Sequence, residues 1–185
     1  TGKRHPFLGR WRVGGERDGR LRALDVELSA NGGWSCELSP PVLSRAMVHV
    51  DNAYFCPNVR VVGRICRTHL PSNTAFRGFG GPQGVIVGEE IIEQIARHLG
   101  LPAHEVRERN FYREGQATHY DQPVTGNHMH ELWQQALERG DFSARRAQVA
   151  AFNAAHRHSK RGIAITPIKF GISFNKVEYN QAGAL

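Results

Sequence analysis

Cysteine is scarce in this 185-residue chain: Cys36, Cys56 and Cys66 are an odd number, widely spaced, with no CxxC pair. That excludes a disulfide framework and a zinc knuckle, and a reducing cytoplasm is the compartment that fits. Long apolar runs are missing too, since nothing approaches the ~20 consecutive apolar residues of a membrane-spanning helix. The first residues, Thr1 to Phe7, are basic with no apolar stretch behind them, which is not the pattern of a secretory signal. No internal repeat or low-complexity linker is visible, and 40% apolar with 22% charged residues excludes a disordered chain. Acidic residues are the minority, 17 against 24 Lys plus Arg, leaving a formal net charge of +7. Such an excess admits an anionic substrate, nucleic acid or a membrane surface as partner. The cations are dispersed, however, apart from His156-Arg157-His158-Ser159-Lys160-Arg161, which reads as a solvated helix end or loop. A basic anion- or nucleic-acid-binding module is therefore a weakly supported competitor from another class.

What is present is a succession of periodic segments. Phe7 to Val13 reads as a strand, Gly14 to Gly19 as a turn, and Leu21 to Leu28 as a strand of alternating polarity, which together make a hairpin with one wet face. Asn31-Gly32-Gly33 is expected to break that strand. Pro40-Pro41 opens a helix carrying Val42, Leu43, Ala46, Met47 and Val50, with Arg45 inside it. Val59 to Leu70 reads as a β-branched strand, Gln83 to His98 as a helix ended by Gly100, and a further helix follows Pro102. Helices are expected at about His128 to Arg139 and Phe142 to Ala155, then a last strand from Gly162 to Phe174. Glu89, Glu90 and Glu93 fall on the second of these helical patterns, Gln83 to His98, as surface or helix-dipole residues. The class is α+β, with mixed-sheet hairpins and packed helices.

The loop from Pro71 to Gly84 puts four Gly, two Pro, two Phe and one Arg between a strand and a helix. Gly admits positive φ and close approach of backbone to a ligand, and Pro82 suits a first helical turn whose free N–H groups attract negative charge. This reads as a ligand-facing turn; the plainer alternative is a space-filling turn with Phe76 or Phe79 in the core. Gly78-Phe79-Gly80-Gly81-Pro82-Gln83 is only superficially a dinucleotide fingerprint, because Gln83 occupies the place of the third Gly. His69, His119, His128 and His130 form no convincing metal-ligand spacing.

The run Leu70-Pro71-Ser72-Asn73-Thr74-Ala75-Phe76-Arg77-Gly78-Phe79-Gly80-Gly81-Pro82-Gln83 closely resembles a signature of the xanthine dehydrogenase and aldehyde oxidase family of molybdenum hydroxylases. So do Arg4-His5-Pro6-Phe7, Arg107-Glu108-Arg109-Asn110-Phe111-Tyr112, Lys169-Phe170-Gly171-Ile172-Ser173-Phe174 and Asn180-Gln181-Ala182-Gly183-Ala184-Leu185, in order along the chain. The resemblance implies hydroxylation of a carbon next to nitrogen in a heterocycle, or of an aldehyde, at a molybdopterin-held molybdenum. It further implies two [2Fe–2S] clusters and FAD in a partner subunit or domain, NAD as final acceptor, and an oligomeric complete enzyme.

Residue by residue, the resemblance makes Phe79 and Phe174 a pair that holds a flat substrate ring, an arrangement worth about 0.5–1.5 kcal/mol per contact beyond burial. It makes Arg45 the arginine facing the substrate oxygen, which favours purines, xanthine and hypoxanthine, over aldehydes; an aldehyde oxidase or another N-heterocycle hydroxylase remains the alternative within the family. Taken alone, an Arg on that helix would be a surface residue snorkelling past an apolar stripe. Arg77 and Gly78 match positions whose backbone approaches the molybdenum's oxygen ligands, and Asn175 stands where many members place Thr next to substrate. Under the same resemblance, residues 1–185 are an internal fragment of the molybdenum-binding domain. Both ends then fall inside structural elements, the catalytic Glu lies beyond Leu185, and a second carboxylate with its Gly-rich loop precedes Thr1.

Overall fold

The computed structural model describes residues 2–173. Phe7–Gly15 (β1) and Leu21–Gly33 (β2) form the expected antiparallel hairpin, with Phe7 opposite Ala30 and Val13 opposite Leu24. Ser39–His49 (α1) then crosses to Val59–Arg67 (β3), which runs parallel to β2, so the sheet is mixed with order β1-β2-β3. On β2, Leu24, Val26, Leu28 and Ala30 are buried, while Asp25, Glu27 and Ser29 alternate on the wetter face. Across that face Asp25 bridges all three strands, 2.8 Å from Arg12 of β1 and 2.8 Å from Arg60 of β3.

Asn31-Gly32-Gly33 does not end β2, contrary to expectation; it shifts the register against β3. The Asn31 carboxamide makes this possible, since Oδ1 accepts the Gly33 N–H at 3.0 Å and the Thr68 hydroxyl at 2.8 Å where ladder bonds lapse.

The buried side of the sheet packs on α1 and on Gly81–Leu99 (α2), through Leu43 and Ala46 of the first, Val50 just past its end, and Val87, Ile91, Ile92 and Ala96 of the second. These helices approach almost backbone to backbone. A Cβ on Gly84 would overlap the carbonyl oxygen of Ala46, and one on Gly88 that of Val50, four residues along both helices. As the sequence suggested, α2 ends at Gly100 in the left-handed conformation.

Ala103–Arg109 (α3) packs beside α2, followed by Met129–Arg139 (α4) and Phe142–Ala155 (α5). Within α4 only Trp133 is buried, its ring 5.0 Å from Phe111 edge-on, and α5 has no buried residue.

Two further expectations are corrected. Glu89 is not a surface carboxylate: together with the partly exposed Glu93 it clamps Arg107 of α3, a buried side chain, at 2.8 and 2.7 Å. Glu90 is the member of the trio that faces outward, bonded to Gln94. Residues 162–173 are not a strand either. They run back irregularly to the end of α1, where their backbone groups pair with side chains instead of a sheet edge. The class is nevertheless α+β, as the order of periodic segments implied. No described helix is long and apolar enough to cross a membrane.

Candidate functional site

Residues 68–80, between β3 and α2, make the first wall of the site. Asn73 anchors this loop to the sheet by donating from Nδ2 to Asn31 O at 2.8 Å, and Thr74 N donates to Lys3 O at 3.0 Å. Two tight turns follow, with Phe79 N bonded to Phe76 O at 2.7 Å and Gly81 N to Gly78 O at 2.9 Å. Gly78, Phe79 and Gly80 have φ of +91°, +53° and +102°. Glycine adopts that conformation freely, whereas at Phe79 it costs on the order of 1 kcal/mol, which the surrounding turns must offset. Phe76 is 54% exposed and lies beneath the Arg4 guanidinium at 4.5 Å, so it is not a core residue, and Phe79 is only half-buried.

The second wall is α1. Arg45 is buried, not snorkelling into solvent. Its Nη1 donates to Gly171 O at 2.8 Å and its Nη2 to Ser173 O, while Phe170 lies 5.6 Å from the guanidinium carbon. Burial lowers the Arg45 pKa, partly offset by Tyr120, yet a guanidinium stays protonated throughout.

Residues 170–173 supply the third wall. Together the three enclose an open cavity of about 690 Å³, lined by Arg45, Arg77, Gly78, Phe79, Phe170 and Ile172 among others. Four of the six residues singled out from the sequence thus share one cavity. Phe174 and Asn175 lie outside the described residues.

Sequence reasoning missed the groups that hold the third wall. His49 follows Arg45 by one helical turn and Asp51 and Asn52 follow it, so the i, i+4 spacing from Arg45 was the available signal. Phe170 stood within a quoted motif without being assigned a role. Lys169 Nζ lies 2.5 Å from Asp51 Oδ2, flanked by the rings of Tyr112 and Tyr120 at 5.1 and 5.2 Å. Tyr112 donates to the same carboxylate oxygen at 2.7 Å, and burial, then the Asp51 charge, raises its phenol pKa.

Residues 1–111 match the family model described as the molybdopterin cofactor-binding domain. The chain belongs to that family. It is 48% identical over all 185 residues to xanthine dehydrogenase of Dictyostelium discoideum and 49% identical to xanthine dehydrogenase 1 of Arabidopsis thaliana, in each case covering 14% of the relative. The chain therefore spans about one-seventh of the length of the curated relatives it matches. Among solved structures it is similar to the aldehyde oxidoreductase of Desulfovibrio desulfuricans, with a TM-score of 0.75 and 28% identity over 82% of this chain and 16% of that one.

The donor set of this family member fits a molybdopterin group, which is anionic and rich in oxygen acceptors. Two guanidinium nitrogens, Arg45 Nε and Arg4 Nη1, are buried without a hydrogen-bond partner among the described residues. Arg4 Nη2 is already spent on Arg77 O at 2.6 Å, which fixes the loop that would face the group. Buried donors without acceptors are costly, and Arg45 lines the cavity, so an acceptor-bearing ligand there would satisfy Arg45 Nε.

Proposed function

We propose that residues 1–185 are an internal part of the molybdenum-binding domain or subunit of a xanthine dehydrogenase, which converts hypoxanthine and xanthine to urate. Iron–sulfur clusters and FAD, held by a partner domain or subunit of an oligomeric enzyme, would carry the electrons on to NAD. When bound, the pterin-held metal supplies the two-electron redox chemistry of the hydroxylation. The residues of this chain bind and orient the substrate. Phe79, with Phe174 as its counterpart, holds the ring, and Asn175 offers an amide to it. The backbone at Arg77 and Gly78 holds the cofactor side of the cavity.

Arg45 carries the reading, as a buried cation at the wall of a cavity shared with Phe79. Two of its five N–H groups are used by Gly171 O and Ser173 O, which leaves donors for a purine oxygen. As negative charge shifts onto that oxygen during attack the contact strengthens, and that difference between ground and transition state is what accelerates a reaction. Arg45→Met in the complete enzyme should lower kcat/KM for xanthine by about a hundredfold or more, the usual effect of losing one transition-state donor, while an aromatic aldehyde loses far less. Equal losses on both substrates would overturn the assignment.

A second reading, an aldehyde or other N-heterocycle hydroxylase of the same family, is favoured by one observation. The Arg45 fork is engaged by two backbone carbonyls, and a side chain so occupied can serve as a wall fixture instead of a substrate ligand. Equal losses would also be the outcome that supports this second reading.

A further inference from the structure

Residues 165–173, of which 170–173 form one wall of the cavity, have no strand edge to hold them. Their restraints come from the end of α1 and the corner behind it. Asn52, fully buried with φ +43°, donates from Nδ2 to Pro167 O at 2.9 Å and accepts the Lys169 N–H on Oδ1 at 3.1 Å. The last restraint before Arg45 is His49. Its Nε2 lies 3.1 Å from Gly171 N, its Nδ1 lies 2.9 Å from Arg45 O, and its ring is 4.9 Å from that of Phe170. A backbone amide can only donate and a carbonyl can only accept. The two partners therefore settle the state of the ring: Nε2 carries the lone pair, Nδ1 carries the proton, and the imidazole is neutral.

Gly171 packs closely on the same pair, since a Cβ there would sit 3.0 Å from Arg45 Nη1, tight enough to push the guanidinium aside, and 3.7 Å from the His49 ring. Its amide is thus held by His49 while its carbonyl receives Arg45. We propose that neutral His49 is a positioning residue: by accepting the Gly171 amide it sets the Gly171 carbonyl against the Arg45 guanidinium and so aims the side chain that discriminates among substrates. The link to substrate choice rests on the role given to Arg45 under Proposed function; the clasp itself does not.

A protonated imidazole would turn an N–H toward the Gly171 N–H, so protonation opens the clasp. Burial is the main influence holding the His49 pKa below its usual value. Arg45 one turn back on α1 and Lys169 on the clasped segment add repulsion, and Asp51 at the helix end partly offsets them. From the segment after α3, Tyr112 and His119 stand against Asp51, and the Tyr120 hydroxyl lies 3.4 Å from Lys169 Nζ. With the closed-state pKa depressed, the clasp is intact above about pH 6.5 and weakens as pH falls from there through the lowered value.

The test uses the complete, cofactor-loaded protein and hydrogen exchange of a peptide spanning residues 165–173, corrected for intrinsic rates, at about pH 8 and about pH 5.5. In the wild type, protection should fall by up to about tenfold at the lower pH, the ceiling that titration of one open-state imidazole near pH 6.5 sets. His49→Gln keeps an acceptor that does not titrate and should stay protected at both pH values. His49→Phe keeps a ring without the acceptor and should be deprotected at both. Wild-type protection in His49→Phe at the higher pH, or a parallel loss in the wild type and His49→Gln on acidification, would overturn the proposal. In the kinetic arm, His49→Phe should lower kcat/KM for xanthine more than for an aromatic aldehyde, and His49→Gln should restore most of the loss. A wild type that does not turn over xanthine would sink the functional reading while leaving the exchange result to decide the clasp.

Discussion

Replacing Arg107 by Met isolates what the buried charge cluster contributes. The Arg107 side chain is 4% exposed, with Glu89 at 15% and Glu93 at 36%. Burial alone would lower the Arg107 pKa, and the hydrogen bonds and charges of Glu93 and Glu89 more than reverse this, so the folded protein holds the cation firmly. Removing one partner of a buried pair costs about 3–5 kcal/mol, because the other charge is stranded. Here Glu93 can turn to solvent, and Glu89 keeps the Asn52 Nδ2 donor at 2.8 Å and the Tyr54 hydroxyl at 2.5 Å. The expected cost therefore falls at or just below that range, about 2–3 kcal/mol. It should be read as a loss of opening free energy by native-state hydrogen exchange across α2 and α3, which stays meaningful in a large protein. Adding Glu89→Gln to Arg107→Met removes the stranded charge and should recover at least about 1 kcal/mol. Strict additivity of the two single changes, within about 0.5 kcal/mol, would refute the claim that Glu89 and Arg107 form one buried unit.

Gly84→Ala forces a methyl group onto the Ala46 carbonyl; because the obstacle is backbone, the separation of α1 and α2 should cost about 1–3 kcal/mol or more, seen as a lowered melting temperature. Trp133→Ala removes the buried anchor of α4 and should cost about 3–5 kcal/mol, with amide exchange quickening over residues 129–155 while the sheet is unaffected. His5, buried with Nε2 2.7 Å from Ser39 Oγ, has its pKa lowered, chiefly by burial against the opposing pull of Glu37. Its contribution to stability is complete above about pH 6.5 and is lost as pH falls from there through the lowered value, so His5→Gln should flatten the acid side of a plot of denaturation midpoint against pH.

The sequence by itself determined the order and type of the elements from β1 to α5, because those follow from local physics. Alternation in Leu21 to Leu28 and the apolar stripe in α2 need no partner to be recognised, and Gly100 and Pro40-Pro41 mark helix ends through their own backbone preferences. The Pro71 to Gly84 loop was legible for the same reason, since its glycines and aromatics are unusual without reference to any neighbour. The tertiary structure decided what depends on distant neighbours. Glu89, Glu90 and Glu93 share one helical pattern, and only the placement of α3 separates the two that clamp Arg107 from the one that faces water. Residues 162–173 have the composition of a strand, but the side chains at the end of α1 compete successfully for their backbone groups. Arg45 on a helical wheel reads as a cation beside an apolar stripe. Contacts to Gly171 and Ser173, more than 120 residues away, turn it into a buried wall of the cavity, and His49 gains its acceptor role from the same fold.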